Sequence, residues 1–310
     1  MIHKDSKIYI AGHRGLVGSA ILRTLEDLGY TNIITRSHEE LDLTNQEKVK
    51  SFFEIEKPEY VFLAAAKVGG IMANSKYPAD FILNNLLIQN NIIQSSYENN
   101  VKKLLFLGSS CIYPKESLVP IKEEYLLSGK LEETNKPYAI AKIAGITLCQ
   151  SFNKQYGTNY ISVMPTNLYG SGDNFDLESS HVIPALIRKF DDAKKNNAEN
   201  VVLWGSGNPM REFLYVDDLA SACVFLMNSN SGIDLINIGY GSDVTISELA
   251  NQIKDCVGYD GGVLWDSTKP DGTYRKLMDS SILNNLGWKP KVDLKTGLQM
   301  TYKWYKENNI

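Results

Sequence analysis

Short apolar runs recur along the first half of the chain at 7–10, 32–35, 60–64 and 103–107. Each is too short for a helix, and each is followed by a stretch whose apolar residues return every three to four positions. Apolar runs without polar alternation suit strands buried on both faces of a parallel sheet, and parallel strands need the crossovers that the amphipathic stretches supply. The pattern predicts a βαβ chain. Helices are expected at about 16–28, 80–99 and 138–156, then at about 181–196, 216–228, 246–256 and 294–308, with further strands at 160–164, 201–204 and 235–238. After about residue 170 the segments shorten and Gly, Asp, Asn and Pro accumulate, as in Gly170-Ser171-Gly172-Asp173-Asn174 and Lys269-Pro270-Asp271-Gly272. The expected fold class is α/β. A Rossmann doubly wound parallel sheet over 1–170 binds the cofactor, and a smaller α/β region over 171–310 mainly binds substrate. Parts of 200–240, the runs at 201–204 and 235–238, are candidates to complete the first sheet.

With 310 residues, 43% of them hydrophobic, the chain can bury a large core, which excludes disorder as its main state. Thirty-two Lys and Arg against 36 Asp and Glu leave a net charge of -4, so no basic excess points to nucleic acid or an anionic membrane. The first residues reach only Ile8-Tyr9-Ile10 before Gly12, too short an apolar stretch for a signal peptide, and no run approaches the ~18 apolar residues of a membrane span. Cys111, Cys149, Cys223 and Cys256 show neither disulfide nor metal-ligand spacing, and a reducing cytoplasm is the expected setting. Three of them fall in expected helices as small buried hydrophobes, while Cys111 does not.

Candidate chemistry begins at the N-terminus. Ile8-Tyr9-Ile10-Ala11 runs straight into Gly12-His13-Arg14-Gly15-Leu16-Val17-Gly18 and the first expected helix. In a strand, glycine turn and helix of this kind, the glycines let the backbone approach a pyrophosphate and the helix N–H groups face the anion. The G-x-x-G-x-x-G spacing resembles that of the extended short-chain dehydrogenases/reductases. At the end of the second strand an NAD enzyme would offer a carboxylate to the ribose, but here the chain reads Thr35-Arg36-Ser37-His38. Arg36 with Arg14 suits a 2′-phosphate and favours NADP(H) over NAD(H). Asp42 and Leu43 follow where the adenine would lie, and Ala64 and Ala65 are small enough to pass close to the cofactor.

Tyr138 and Lys142, four residues apart, share one helix face. A phenol there can meet a carbonyl oxygen while the ammonium lowers its pKa and holds the nicotinamide ribose. Ser109, about 30 residues earlier, can polarise the same oxygen. Together they predict hydride transfer between a nicotinamide and a carbinol or ketone. Cys111 and His181 have reference pKa values within about two units of neutrality, so modest tuning would make one a base and the other an acid beside that ketone. On composition alone Cys111 reads first as a buried thiol and His181 as a helix cap.

The segments Lys67-Val-Gly-Gly-Ile71, Gly108-Ser-Ser-Cys-Ile-Tyr-Pro114, Met164-Pro-Thr-Asn-Leu-Tyr-Gly170, His181-Val-Ile-Pro-Ala-Leu-Ile187, Trp204-Gly-Ser-Gly207, Met210-Arg-Glu-Phe213 and Lys269-Pro-Asp-Gly272 resemble the GDP-L-fucose synthase family over nearly the whole chain. The resemblance implies a bifunctional enzyme that epimerises GDP-4-keto-6-deoxy-D-mannose at C3 and C5 and then reduces C4 with NADPH. Cys111 would be the epimerisation base, His181 the acid, and Ser109, Tyr138 and Lys142 the reductase triad. Cofactor contacts are implied at Leu107, Gly108, Ser110, Lys142, Pro165, Thr166, Asn167, Leu168 and His181, besides Gly12–Gly18, Arg36, His38, Asp42, Leu43, Ala64 and Ala65. Substrate contacts are implied at Ser109, Asn167, Lys189, Trp204, Arg211, Asp271 and Lys276, the cations toward the diphosphate. A homodimer pairing the helices at 80–99 and 138–156 is also implied. The chain departs from the family pattern at His38, where some members carry Arg, and at Ser171, where Pro is frequent. A 4-epimerase, a 4,6-dehydratase and a non-catalytic NADP-binding regulator share the fold and stand as alternatives. A dehydratase would carry an Asp-Glu pair where this chain has Cys111-Ile112.

Overall fold

The computed structural model describes residues 1–177, 179–269 and 271–308. Its first half runs β1 (Ile8–Ala11), α1 (Leu16–Asp27), β2 (Ile33–Thr35), α2 (Gln46–Glu56), β3 (Tyr60–Leu63), α3 (Ile71–Lys76), α4 (Pro78–Glu98), β4 (Lys103–Leu107), α5 (Lys136–Tyr156) and β5 (Tyr160–Pro165). The second half adds β6 (Asn167–Tyr169), α6 (Val182–Lys195), β7 (Asn200–Trp204), β8 (Met210–Tyr215), α7 (Val216–Asn228), β9 (Leu235–Ile238), β10 (Asp243–Thr245), α8 (Ile246–Val257), β11 (Gly262–Asp266), β12 (Arg275–Lys276), α9 (Ser281–Asn285) and α10 (Leu294–Glu307).

Six parallel strands form the main sheet in the order β2-β1-β3-β4-β5-β9. Successive side chains on a strand point to opposite faces, and both faces are covered. On β4, Leu105 and Leu107 pack toward α1 and α7, while Leu104 and Phe106 pack on the opposite side with Phe53, Ile92 and Ile146 of α2, α4 and α5. This double burial explains the unbroken apolar runs, and the sheet is the expected Rossmann-like one. The strand order turns back at β1, with β2 on one side and β3 on the other, and a doubly wound sheet offers its ligand crevice at such a switch point.

The run at 201–204 does not return to the main sheet. As β7 it pairs in parallel with β11, from Asn200 opposite Gly262 to Trp204 opposite Asp266. Its burial alternates, with Val201 and Leu203 inward and Val202 and Trp204 outward. An all-apolar strand therefore has one open face, which the apolar pattern concealed. The inward residues join a separate core with Ile183, Ile187 and Phe190 of α6, Leu249 and Ile253 of α8, and Leu298 of α10. A third sheet, β10-β8-β12 with β6 beside β8, connects the two parts.

Glu212, near the start of β8, is the polar centre of that connection. Its buried carboxylate accepts from Gly241 N at 2.7 Å and Met278 N at 3.0 Å, while its carbonyl accepts from Thr166 Oγ1 and Asn167 Nδ2. Burial raises the Glu212 pKa, and these backbone donors oppose the rise.

Candidate active site

The glycine loop leaves β1 with Gly12 at φ +89°, a conformation that disfavours any side chain, and Gly15 caps α1. A Cβ on Gly12 would lie 2.7 Å from Ala65 Cα, and one on Gly18 would lie 2.1 Å from Gly12 O. The loop, the first turn of α1 and the end of β3 are therefore in backbone contact, leaving α1's N-terminal N–H groups available to an anion. His13 Nδ1, buried without a hydrogen-bond partner among the described residues, provides a polar atom for a ligand at this loop. The loop thus fits a dinucleotide pyrophosphate. Burial, aided by Arg14, lowers the His13 pKa.

Arg14 is exposed beside the loop. Arg36 is half-buried: it pairs with Glu56 at 2.6 Å, donates to Thr35 O at 2.8 Å and lies over the Phe52 ring. It is thus a fixed cation at the tip of β2. His38 is exposed, and Asp42 accepts from Thr44 N and Oγ1, which hold its pKa down. Leu43 anchors α4 through an Asn91 side-chain bond to its carbonyl. Gly108 follows β4 so closely that a Cβ would lie 3.0 Å from Val163 O, at the strand ends that carry Leu107 and Pro165.

Beyond Gly108 the chain enters a short 3-10 turn, Ser110–Ile112, capped by Ser109, whose Oγ accepts from Cys111 N at 3.3 Å. Tyr138 and Lys142 come from the first two turns of α5, started by Pro137. Lys142 is buried, donates to Leu107 O at 2.6 Å and sits over the Phe106 and Tyr138 rings at 4.7 and 5.7 Å. Burial lowers its pKa to about 8, against the pull of Cys111. Burial and then Cys111 push the Tyr138 pKa up, while the Lys142 ammonium is directed to the Leu107 carbonyl. Burial likewise raises the Cys111 thiol, opposed first by Lys276 and then by the Ser109 hydroxyl and Lys142.

His181 caps α6 without using its side chain. Solvent reaches the ring, yet the surrounding protein lowers its pKa by burial. Its segment is tied toward the triad by Gly70 N donating to Ser179 O, and Phe81, which packs under Gly69, meets the Tyr138 ring edge-on at 6.4 Å.

The implied substrate residues divide into two groups. Lys189 and Lys269 both lie 5.6 Å from the Trp204 ring, whose indole is 59% exposed. Asp271 accepts from Ser206 N and Oγ at 2.7 and 2.8 Å, so it pins the turn after Trp204, with Arg211 nearby. Pro270 of that motif lies outside the described residues. Lys276, in register with Arg211 on β8, lines a cavity with Cys111. That cavity includes Glu132 and Asn135, which the sequence did not single out because they sit in a polar loop with no motif. Glu212 was legible in principle, as a carboxylate followed at once by the apolar run Phe213-Leu214.

Residues 8–239 match the model of the NAD dependent epimerase/dehydratase family. The chain is 62% identical over 308 residues to GDP-L-fucose synthase 1 of Arabidopsis thaliana, covering 99% of this chain and 95% of that protein. It is 54% identical to the GDP-L-fucose synthase of Escherichia coli K12, covering 97% of each. Among solved structures, MlghC, a GDP-mannoheptose C4 reductase from Campylobacter jejuni with NADP bound, superposes with a TM-score of 0.91 at 42% identity, covering 99% of this chain and 100% of that one. The chain belongs to the NAD dependent epimerase/dehydratase family and, within it, to the GDP-L-fucose synthases.

Proposed function

We infer that this chain is a bifunctional enzyme that converts GDP-4-keto-6-deoxy-D-mannose to GDP-L-fucose, epimerising C3 and C5 and reducing C4. The cofactor is NADP(H), in keeping with the NADP-bound C4 reductase and with the cations Arg14 and Arg36 beside the glycine loop. The observation that carries the two-step reading is the clustering of Cys111 with Ser109, Tyr138 and Lys142, a base beside a reductase triad.

In the epimerisation, the Cys111 thiolate takes the proton from C3 or C5. The C–H electron pair moves toward the C4 oxygen, which Ser109 and Tyr138 hold by hydrogen bonds. His181 returns a proton from the opposite face. In the reduction, the glycine loop and Lys142 would hold NADPH, which would supply a hydride for C4. Tyr138 gives its phenolic proton to the C4 oxygen, and Lys142 orients the ribose. The same donors serve both steps. Residues 1–170 with β9 form the cofactor part, and 171–310 mainly the substrate part, where Trp204 offers its open face to the base and Lys189 and Arg211 their charges to the diphosphate.

Leu83, Leu87 and Tyr97 of α4, with Ile140 and Tyr156 of α5, are exposed apolar side chains on adjacent helices. They support a homodimer in which these helices pair across a two-fold axis, and light scattering at micromolar concentration reads it, a monomer removing the idea. Among the described residues no helix is long and apolar enough to cross a membrane. The free thiols fit the cytoplasm as the working compartment.

The test is consumption of NADPH, with NADH tried separately, in the presence of GDP-4-keto-6-deoxy-D-mannose, the product being identified by NMR. Cys111→Ser is expected to keep NADPH binding and lose solvent-hydrogen exchange at C3 and C5, and Tyr138→Phe to exchange without reducing. Reduction to an unepimerised 6-deoxy sugar by the unaltered enzyme would leave Cys111 and His181 without a chemical role.

A further inference from the structure

Three segments distant in sequence enclose a cavity of about 50 Å3 on one side of Cys111: the turn through Ser117, the loop holding Glu132 and Asn135, and the stretch Thr273–Lys276. Its lining is polar. Ser117 Oγ and Asn135 Oδ1 are buried there with no hydrogen-bond partner among the described residues, and Glu132 lies 3.0 Å from Lys115. Lys276 lines the same cavity and makes no hydrogen bond or ion pair among the described residues.

The strand that delivers Lys276 is only two residues long, yet it is firmly held. Arg275 pairs with Asp243 at 2.6 Å, and Lys276 stands in register with Arg211 on β8. Just beyond, Ile121 N donates to Leu277 O at 2.8 Å, Asp279 N donates to Ile121 O, and Met278 N donates to the buried Glu212 carboxylate. A lysine placed so firmly beside a thiol, rather than at the Trp204 wall, calls for a role there.

We propose that Lys276 is the positioning residue that favours the thiolate of Cys111 across the cavity they share. The proposal rests on Cys111 being the epimerisation base, and it moves Lys276 from the diphosphate to the thiol. The groups facing Cys111 are Tyr138 and Lys142 from α5, Ser109 from its own turn and Lys276 from β12, with Arg211 and Glu132 facing Lys276. Of the two cations, Lys142 is engaged by Leu107 O, which leaves Lys276 the freer one to compensate a sulfur charge. A cation in the same cavity favours the charged form of a thiol, and its removal leaves burial opposed only by the weaker effects of Ser109 and Lys142.

Alkylation of Cys111 by iodoacetamide, followed across pH by peptide mass spectrometry, reads the thiolate directly; Cys149 and Cys223 are buried, and Cys256→Ser removes the other accessible thiol. Lys276→Met is expected to move the alkylation midpoint up by about one pH unit, slowing the reaction about tenfold at neutral pH. Solvent-deuterium exchange at C3 and C5 should fall in proportion and recover as pH rises, with NADPH binding unchanged. Lys276→Arg should restore both to within about threefold. Loss of exchange with an unmoved alkylation profile would overturn the proposal, placing Lys276 on the substrate instead. Where Lys276→Met does not fold by circular dichroism, Lys276→Gln carries the test: an upward shift of similar size is expected, and no shift overturns the assignment. Failure of the underlying reading shows separately, as wild-type exchange in Cys111→Ser whatever the alkylation profile.

Discussion

At the cofactor cradle, β1, α1 and the end of β3 approach so closely that one added methyl at Gly18 would lie 2.1 Å from a carbonyl oxygen. Around Trp204 an indole stands open, faced by two lysine side chains at 5.6 Å. The first surface is made of main chain and is complete before any ligand arrives. The second is made of long side chains, whose contacts with a ligand must be assembled by fixing rotamers. The difference matches what each must recognise. A pyrophosphate is met by backbone N–H groups in fixed places, whereas a nucleotide sugar must enter, turn over and leave.

Gly18→Ala gives the sharpest way to break the cradle. The methyl meets Gly12 O and the backbone of His13, and neither can move without lifting the loop from Ala65. Overpacking of this kind costs on the order of 3 kcal/mol. The expected outcome is a lowered melting temperature and at least ~100-fold weaker NADPH binding by fluorescence titration. Binding within threefold of the unaltered protein would mean that the loop is not the rigid element described here.

The same contrast governs how far the chain could be read without coordinates. The main sheet was legible because its strands are buried on both faces and therefore apolar throughout, and the glycine loop because only glycine meets its steric demand. β7 was misplaced for the converse reason: Val202 and Trp204 are apolar but exposed, so composition suggested burial that is absent. The triad was visible as a spacing along the chain, and Cys111 through the family resemblance. The cavity beside Cys111 was not, since Glu132 and Asn135 reach it from a loop far away in sequence. Lys276 was named early, but its place beside Cys111 depends on β12 pairing with β8, which no local pattern announces.

Arg36→Ala tests a side-chain contact at the edge of the rigid part. Its guanidinium is fixed by Glu56, Thr35 O and the Phe52 ring, so little order remains to be gained when a 2′-phosphate binds. The KM for NADPH is expected to rise about thirtyfold while that for NADH stays within about twofold, because charge-assisted hydrogen bonds to a phosphate are lost with one cofactor only. Equal loss with both cofactors would assign Arg36 to the architecture of β2 and α2, through Glu56, and leave Arg14 as the phosphate reader.

Trp204→Ala has the smallest expected effect, and its form matters more than its size. The indole is largely solvated and outside the core built by α6, α8 and α10, so folding should be nearly unaffected. A stacked aromatic contributes about 1 kcal/mol beyond its buried area, and flanking cations add to ligand binding through the phosphates they meet. The KM for the GDP-sugar should therefore rise about fivefold, with kcat within about twofold and the NADPH KM unchanged, the pattern of an interaction made equally in the ground and transition states. A fall in kcat instead would show that Trp204 helps align the sugar over Cys111 and Tyr138. The open wall would then be part of the rigid constellation, and the division between a prebuilt cofactor cradle and a substrate wall assembled on binding would fail at the residue chosen to define it.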